Sequence, residues 1–213
     1  MRIHSTWLFV CTLGLAAIGH AQEWEIGGIA GAGFMNGISV ATAAASATTG
    51  FKSGGAFGAF AGSNLYPHLS GEIRYTYQMS DLKLSSGGTE ASFSGVSHAI
   101  SYDLLYHPAP KRSKIQPFVA AGAGVKLFRG TGKEQAYQPL SNFAFLTKTQ
   151  DLRPLITAGG GVKYHISEHL LFRAEIRDFI TPFPNKVITP APGAKVSGWL
   201  QDFVPMFGLS FVF

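Results

Sequence analysis

The sequence predicts an all-β fold: eight antiparallel strands closed into an up-and-down transmembrane barrel. Three observations carry this. Apolar residues alternate with small or polar ones at a period of two in segment after segment, which is strand and not helix periodicity. Only 14% of the residues are charged, against about 25% in an ordinary soluble domain. The chain is also rich in glycine (26) and phenylalanine (17), a composition suited to a wall with a lipid-facing side and a crowded interior.

The first element is a leader. Arg2 gives a basic start, and Trp7 to Ile18 is an apolar run of about a dozen residues, the length of a signal-peptide core and too short to span a bilayer. Gly19-His20-Ala21 offers small residues at −3 and −1, so cleavage is expected after Ala21, leaving residues 22–213 as one barrel domain. Cys11 lies in the leader behind the large Val10, which disfavours lipidation. Cleavage removes the one cysteine, so no disulfide or thiolate site is expected. The mature chain keeps 16 Lys and Arg, Arg2 alone being lost, against 12 Asp and Glu. Its bases are scattered, apart from Lys111-Arg112-Lys114, so nucleic acid is not an expected partner.

Eight strands follow, at about 23–35, 51–63, 69–83, 93–107, 115–129, 153–166, 169–181 and 201–213. In the third, Ile73, Tyr75, Tyr77 and Met79 oppose Glu72, Arg74, Thr76 and Gln78. In the fifth, Val119, Ala121, Ala123, Val125 and Leu127 oppose Gly122, Gly124 and Lys126. In the sixth, Ile156, Ala158, Val162 and Tyr164 oppose Thr157, Gly159, Gly161 and Lys163. In the seventh, Leu170, Phe172, Ala174 and Ile176 oppose Arg173, Glu175 and Arg177. Short links fall at 64–68, 108–114 and 167–168; long ones, rich in Gly, Ser, Thr, Ala and Pro, fall at 36–50, 84–92, 130–152 and 182–200. With an even strand count, the termini and short turns share one rim and the long loops the other. That asymmetry belongs to barrels of the bacterial outer membrane.

Which face meets lipid follows from cost. Turning Arg173 or Arg177 outward would cost about 2–4 kcal/mol each at mid-membrane, so the polar faces must line the lumen. A soluble barrel would reverse the faces, but its surface would carry a Lys/Glu mixture where this chain has Gly, Ser and Thr. Trp24, Tyr66, Tyr77, Tyr102, Tyr106, Tyr164 and Trp199 lie near strand ends, where interfacial girdles belong.

With its last strand, FGLSFVF, the chain resembles the small outer-membrane β-barrel family, the OmpX/OmpA-type eight-stranded barrels. The resemblance covers residues 22–213 and rests on architecture plus alternating Phe207, Leu209, Phe211 and Phe213. It implies that this strand is the sorting signal read by the outer-membrane assembly machinery. It also implies a Gram-negative outer membrane, periplasmic chaperones on the way, lipid and lipopolysaccharide as surroundings, and a monomer. The expected barrel stands alone, with no peptidoglycan-binding domain after it.

The inward ionisable set is Glu25, Glu72, Arg74, Asp103, Lys126, Lys163, Arg173, Glu175 and Arg177, four acids and five bases. In an eight-stranded lumen these must pair, giving a plug. The expected role is therefore structural or surface-interacting, through loops such as 130–152, and not enzymatic. The alternative is a narrow channel for ions or very small solutes. A more distant one is a lipid-modifying enzyme: His165-Ile166-Ser167-Glu168 resembles the His-x-Ser pair of lipid A deacylases but falls on a short turn at the wrong rim. The other histidines, His68, His98, His107 and His169, fall mostly near turns. No metal-ligand spacing or phosphate loop is present, so no cofactor is expected. Lys133, Lys148, Lys186 and Lys195 are loop cations within reach of lipopolysaccharide phosphates.

Overall fold

The structure, a computed structural model, describes residues 23–42, 45–110, 113–134, 137–196 and 198–213. The expected leader with its cleavage site at Ala21, and Lys111 and Arg112 of the basic cluster, lie outside the described residues.

Among the described residues, fifteen strands form three sheets. They are β1 (Trp24–Met35), β2 (Ile38–Ala41), β3 (Ser46–Phe51), β4 (Gly54–Tyr66), β5 (Leu69–Met79), β6 (Leu82–Ser86), β7 (Thr89–Phe93) and β8 (Gly95–Tyr106). Then come β9 (Ile115–Gly130), β10 (Ala144–Leu146), β11 (Gln150–His165), β12 (Leu170–Pro182), β13 (Ile188–Pro190), β14 (Lys195–Val196) and β15 (Trp199–Val212). Eight of them close an antiparallel barrel in the order β1-β15-β12-β11-β9-β8-β5-β4. These are the eight strands the alternation predicts. Each is paired on both sides, which the bilayer demands of any backbone inside it.

The outer wall is apolar. Ile26, Phe34, Phe57, Ile73, Ile100, Val119, Ile156, Ile176, Phe203, Phe207, Leu209 and Phe211 are exposed on it. The seam closes at the periplasmic rim, where Trp24 and Phe213 exchange backbone hydrogen bonds of 3.0 Å in both directions.

Besides Pro182 at the end of β12, three prolines sit inside barrel strands, where a missing N–H normally confines proline to edges. At Pro205 the β1–β15 pairing lapses: it runs to Gly31↔Met206 and resumes at Phe34↔Phe203. At Pro154, β11 pairs with β9 but not with β12, whose pairing begins at Ile156↔Ile180. The opening above that point is filled by the β12–β13 segment, where Lys186 N–H donates to Asp151 Oδ2 at 3.0 Å. Pro117, near the periplasmic end of β9, keeps its place opposite Val162.

The long connections differ from the loops the composition suggested. They carry seven short strands. β14, β2, β3, β6 and β7 form a five-stranded sheet, and β10 and β13 a ribbon. Beneath them lies an apolar core that includes Val40, Leu82, Leu84, Phe93, Phe128, Phe143, Val187 and Ile188. The β6–β7 hairpin turns on Gly87 and Gly88, with φ of 55° and 82°, the left-handed pair a two-residue hairpin needs. The extracellular side is thus a packed cap seated on the barrel mouth through Phe51, which stacks on Phe128 at 5.0 Å.

Candidate functional site

The lumen is the candidate site, and inner-face glycines make room for it. In register, Gly159 faces Arg177 and Gly161 faces Glu175, while Gly122 faces Asp103 and Gly208 faces Arg173. A methyl on Gly161 would lie 2.7 Å from Glu175 Cβ, and one on Gly159 2.8 Å from Arg177 Cδ. Each large charged side chain thus crosses a bare stretch of the neighbouring strand.

All nine ionisable residues of the sequence reading are inside. Arg173, from β12, is fully buried and central. Its Nη1 donates to Glu72 Oε2 at 2.6 Å and its Nε to Glu175 Oε2 at 2.9 Å. Its guanidinium lies between Phe60 and Phe118, 4.4 and 4.7 Å from the ring centroids. Arg74 bridges the same two acids, at 2.6 Å to Glu72 Oε1 and 2.6 Å to Glu175 Oε1. Arg177 pairs with Asp103 at 3.3 Å and Glu175 at 3.5 Å, without a geometrically acceptable hydrogen bond. Asp103 also accepts the Thr157 hydroxyl. Three arginines and three acids thus form one cluster across β5, β8 and β12.

Two satellites flank it. Toward the periplasm, Lys163 pairs with Glu25, which also accepts from Ser210 Oγ at 2.8 Å. Toward the cap, Lys126 donates to Asp202 at 2.6 Å and to Gln78 Oε1 at 3.3 Å. Asp202 is absent from the sequence reading, yet period two from Ser210 and Gly208 points it inward. It brings the lumen to five acids against five bases. Asp151 and Arg153, paired at 2.7 Å at the mouth, were also missed. Between these layers Ile29, Phe60, Leu155, Phe179, Val204 and Met206 fill the bore.

At the periplasmic rim a vestibule of about 50 Å³ is lined by Glu23, Glu25, His107, Gln116, Lys163 and His165, among others. His107 Nε2 and Ser70 Oγ are 2.8 Å apart. Burial, with the nearby Lys163 cation, pushes the His107 pKa down to about 4. The His165–Ser167 pair does not meet as a dyad: Ser167 Oγ accepts the Leu170 N–H at 3.1 Å and closes its own turn. Among the described residues no His, Cys, Asp or Glu cluster has the spacing of a metal site.

The terminal aromatics line one outer strip. Phe207, Leu209, Phe211 and Phe213 are half-exposed or more, and Phe207 stacks on Phe172 at 6.3 Å. His98 falls inside the expected strand 93–107, and it lies within β8 on the lipid face, hydrogen-bonded to Tyr75 Oη at 2.8 Å.

The sequence profile of the outer membrane protein beta-barrel domain matches residues 8–196. The chain belongs to that family. It is an integral protein of the bacterial outer membrane, and the profile stops before β15, which closes the barrel. No curated protein matches the sequence. Solved structures share the barrel fold. OprG from Pseudomonas aeruginosa is 15% identical, with a TM-score of 0.59 over 90% of this chain and 95% of its own. Neisserial surface protein A is 12% identical (TM-score 0.53; 91% and 100% covered). A major outer membrane protein from Thermus thermophilus is 18% identical (TM-score 0.53; 91% and 100%). At these identities the likeness is one of fold.

Proposed function

We infer that this family member is a closed barrel whose work is done outside it: a rigid scaffold presenting its extracellular cap for surface contacts, without catalysis. One observation carries the reading. The lumen is filled from vestibule to cap by paired charges and apolar side chains, and the cap has a core of its own. A packed cap on a fixed wall is a platform for binding, since loops on rigid scaffolds usually carry contacts. The narrow channel is the weaker reading, because conduction would require parting Arg173 from Glu72 and Glu175 inside a sealed bore. The terminal strand suits recognition by the assembly machinery after chaperoned transit, and a barrel with every edge paired has no need of a partner subunit.

The test separates the two faces of the molecule. Leu84→Asp, placed in the cap core, should abolish cell–cell or cell–surface attachment conferred by the expressed protein, while heat-modifiable migration of the barrel persists. Attachment that survives loss of the cap core would sink the platform reading. Release of small ions from vesicles holding the wild type would favour the channel.

A further inference from the structure

Among the described residues, the outer wall carries a polar cluster on β5, β8 and β9 that neither the plug nor the cap uses. His98 faces lipid on β8. It is opposite Tyr77 on β5 and Leu127 on β9. Its Nδ1 is bonded to Tyr75 Oη, and its ring meets Tyr77 edge-on at 5.3 Å. With Nδ1 so engaged, Nε2 is the ring nitrogen left to meet a ligand on this outer face. One row nearer the cap, Arg129 stands opposite Val96 and Gln150, exposed and diagonal to His98. Below the cluster the same wall is apolar: Ile100, Tyr102, Leu104 and Val125 are all exposed.

The vertical order matters. With short turns periplasmic, this cluster lies at the outer-leaflet end of the spanning strands, where apolar wall gives way to headgroups. A histidine there costs solvation unless it finds polar partners. A cation above, hydrogen-bonding rings in the middle and an apolar strip beneath match a ligand with a phosphate on top, a sugar at the interface and acyl chains below. We propose that Arg129, His98, Tyr77 and Tyr75 seat one lipid A molecule of the outer leaflet. Arg129 takes a glucosamine phosphate through charge-assisted bonds. His98 Nε2 and the tyrosines take the sugar, and the chains lie along Ile100 and Val125. The loop lysines are not needed for it.

Native mass spectrometry of the detergent-solubilised full barrel tests this, with bisphosphorylated lipid A, its dephosphorylated form and phosphatidylglycerol as probes. The wild type should retain one lipid A. Arg129→Gln and His98→Ala should each weaken retention about tenfold, the value of one good polar contact. Gln201→Ala, on the far wall, should change nothing. Dephosphorylated lipid A should bind the wild type as weakly as the intact lipid binds Arg129→Gln, which should not distinguish the two probes. Heat-modifiable migration certifies that each variant is folded, and Arg129→Lys, which keeps the charge, should retain most of the binding. Two folded variants that hold lipid A like the wild type overturn the proposal. So does displacement by an equal concentration of phosphatidylglycerol, which would make the cluster an unselective anionic-lipid girdle.

Discussion

Arg173→Met isolates the centre of the lumen. The side chain is fully buried, donates to Glu72 at 2.6 Å and Glu175 at 2.9 Å, and lies between two phenyl rings. Methionine keeps much of the volume and the ring contacts, so the change is chiefly one of charge. Removing one partner of a buried ion pair costs about 3–5 kcal/mol. Both acids retain Arg74 at 2.6 Å, so the expected loss is at the lower end, about 3 kcal/mol. Arg177→Met supplies the contrast. Its ion pairs are 3.3–3.7 Å long and lack hydrogen bonds, so about 1–2 kcal/mol is expected. Urea unfolding in lipid vesicles, followed by Trp24 and Trp199 fluorescence, reads both as midpoint shifts at constant m. Adding Glu72→Gln to Arg173→Met should recover part of the loss, because the cluster then returns from two bases against three acids to two against two. A folded Arg173→Met within about 0.5 kcal/mol of wild type, or equal to Arg177→Met, would refute the idea that this cluster is held by Arg173.

Further expectations follow from the geometry. Gly161→Val drives a side chain into Glu175 and the Ala174 carbonyl and should cost at least about 1–3 kcal/mol; Gly28→Ala, on the outer face, meets nothing nearer than 3.9 Å and should be tolerated in the same unfolding assay. His107 is held neutral in the fold, with its pKa lowered to about 4 from 6.5. Its contribution is therefore full above pH 6.5 and lost as the pH falls toward 4, on the order of 3 kcal/mol. His107→Gln should flatten that part of the midpoint-versus-pH curve. Deleting Phe213 removes the reciprocal bonds to Trp24 and the last lipid-facing aromatic, and should leave unfolded protein in the periplasm; normal heat-modifiable barrel in the outer membrane would contradict the sorting role.

The eight barrel strands were legible because each must show lipid one face and the lumen the other, which writes a period of two over about ten residues or more. The same logic placed Arg173, Glu175 and Lys163 inside. It reached Asp202 too, but only if the alternation at Ser210 and Gly208 is carried back through Pro205 to the strand's start. The cap was illegible for a physical reason. Its strands are two to six residues long and bury Val40, Leu84 and Ile188 against one another, so no segment shows a sustained period by itself. The partners of each arginine could not be read either, since register between distant strands decides them.

The most direct test of the closed barrel is conductance across a planar bilayer. Wild-type protein, inserted and verified as folded, should give no resolved single-channel steps at neutral pH. Steady steps of uniform size, abolished or altered by Arg173→Met or Glu72→Gln, would contradict the account and make the lumen a gated path.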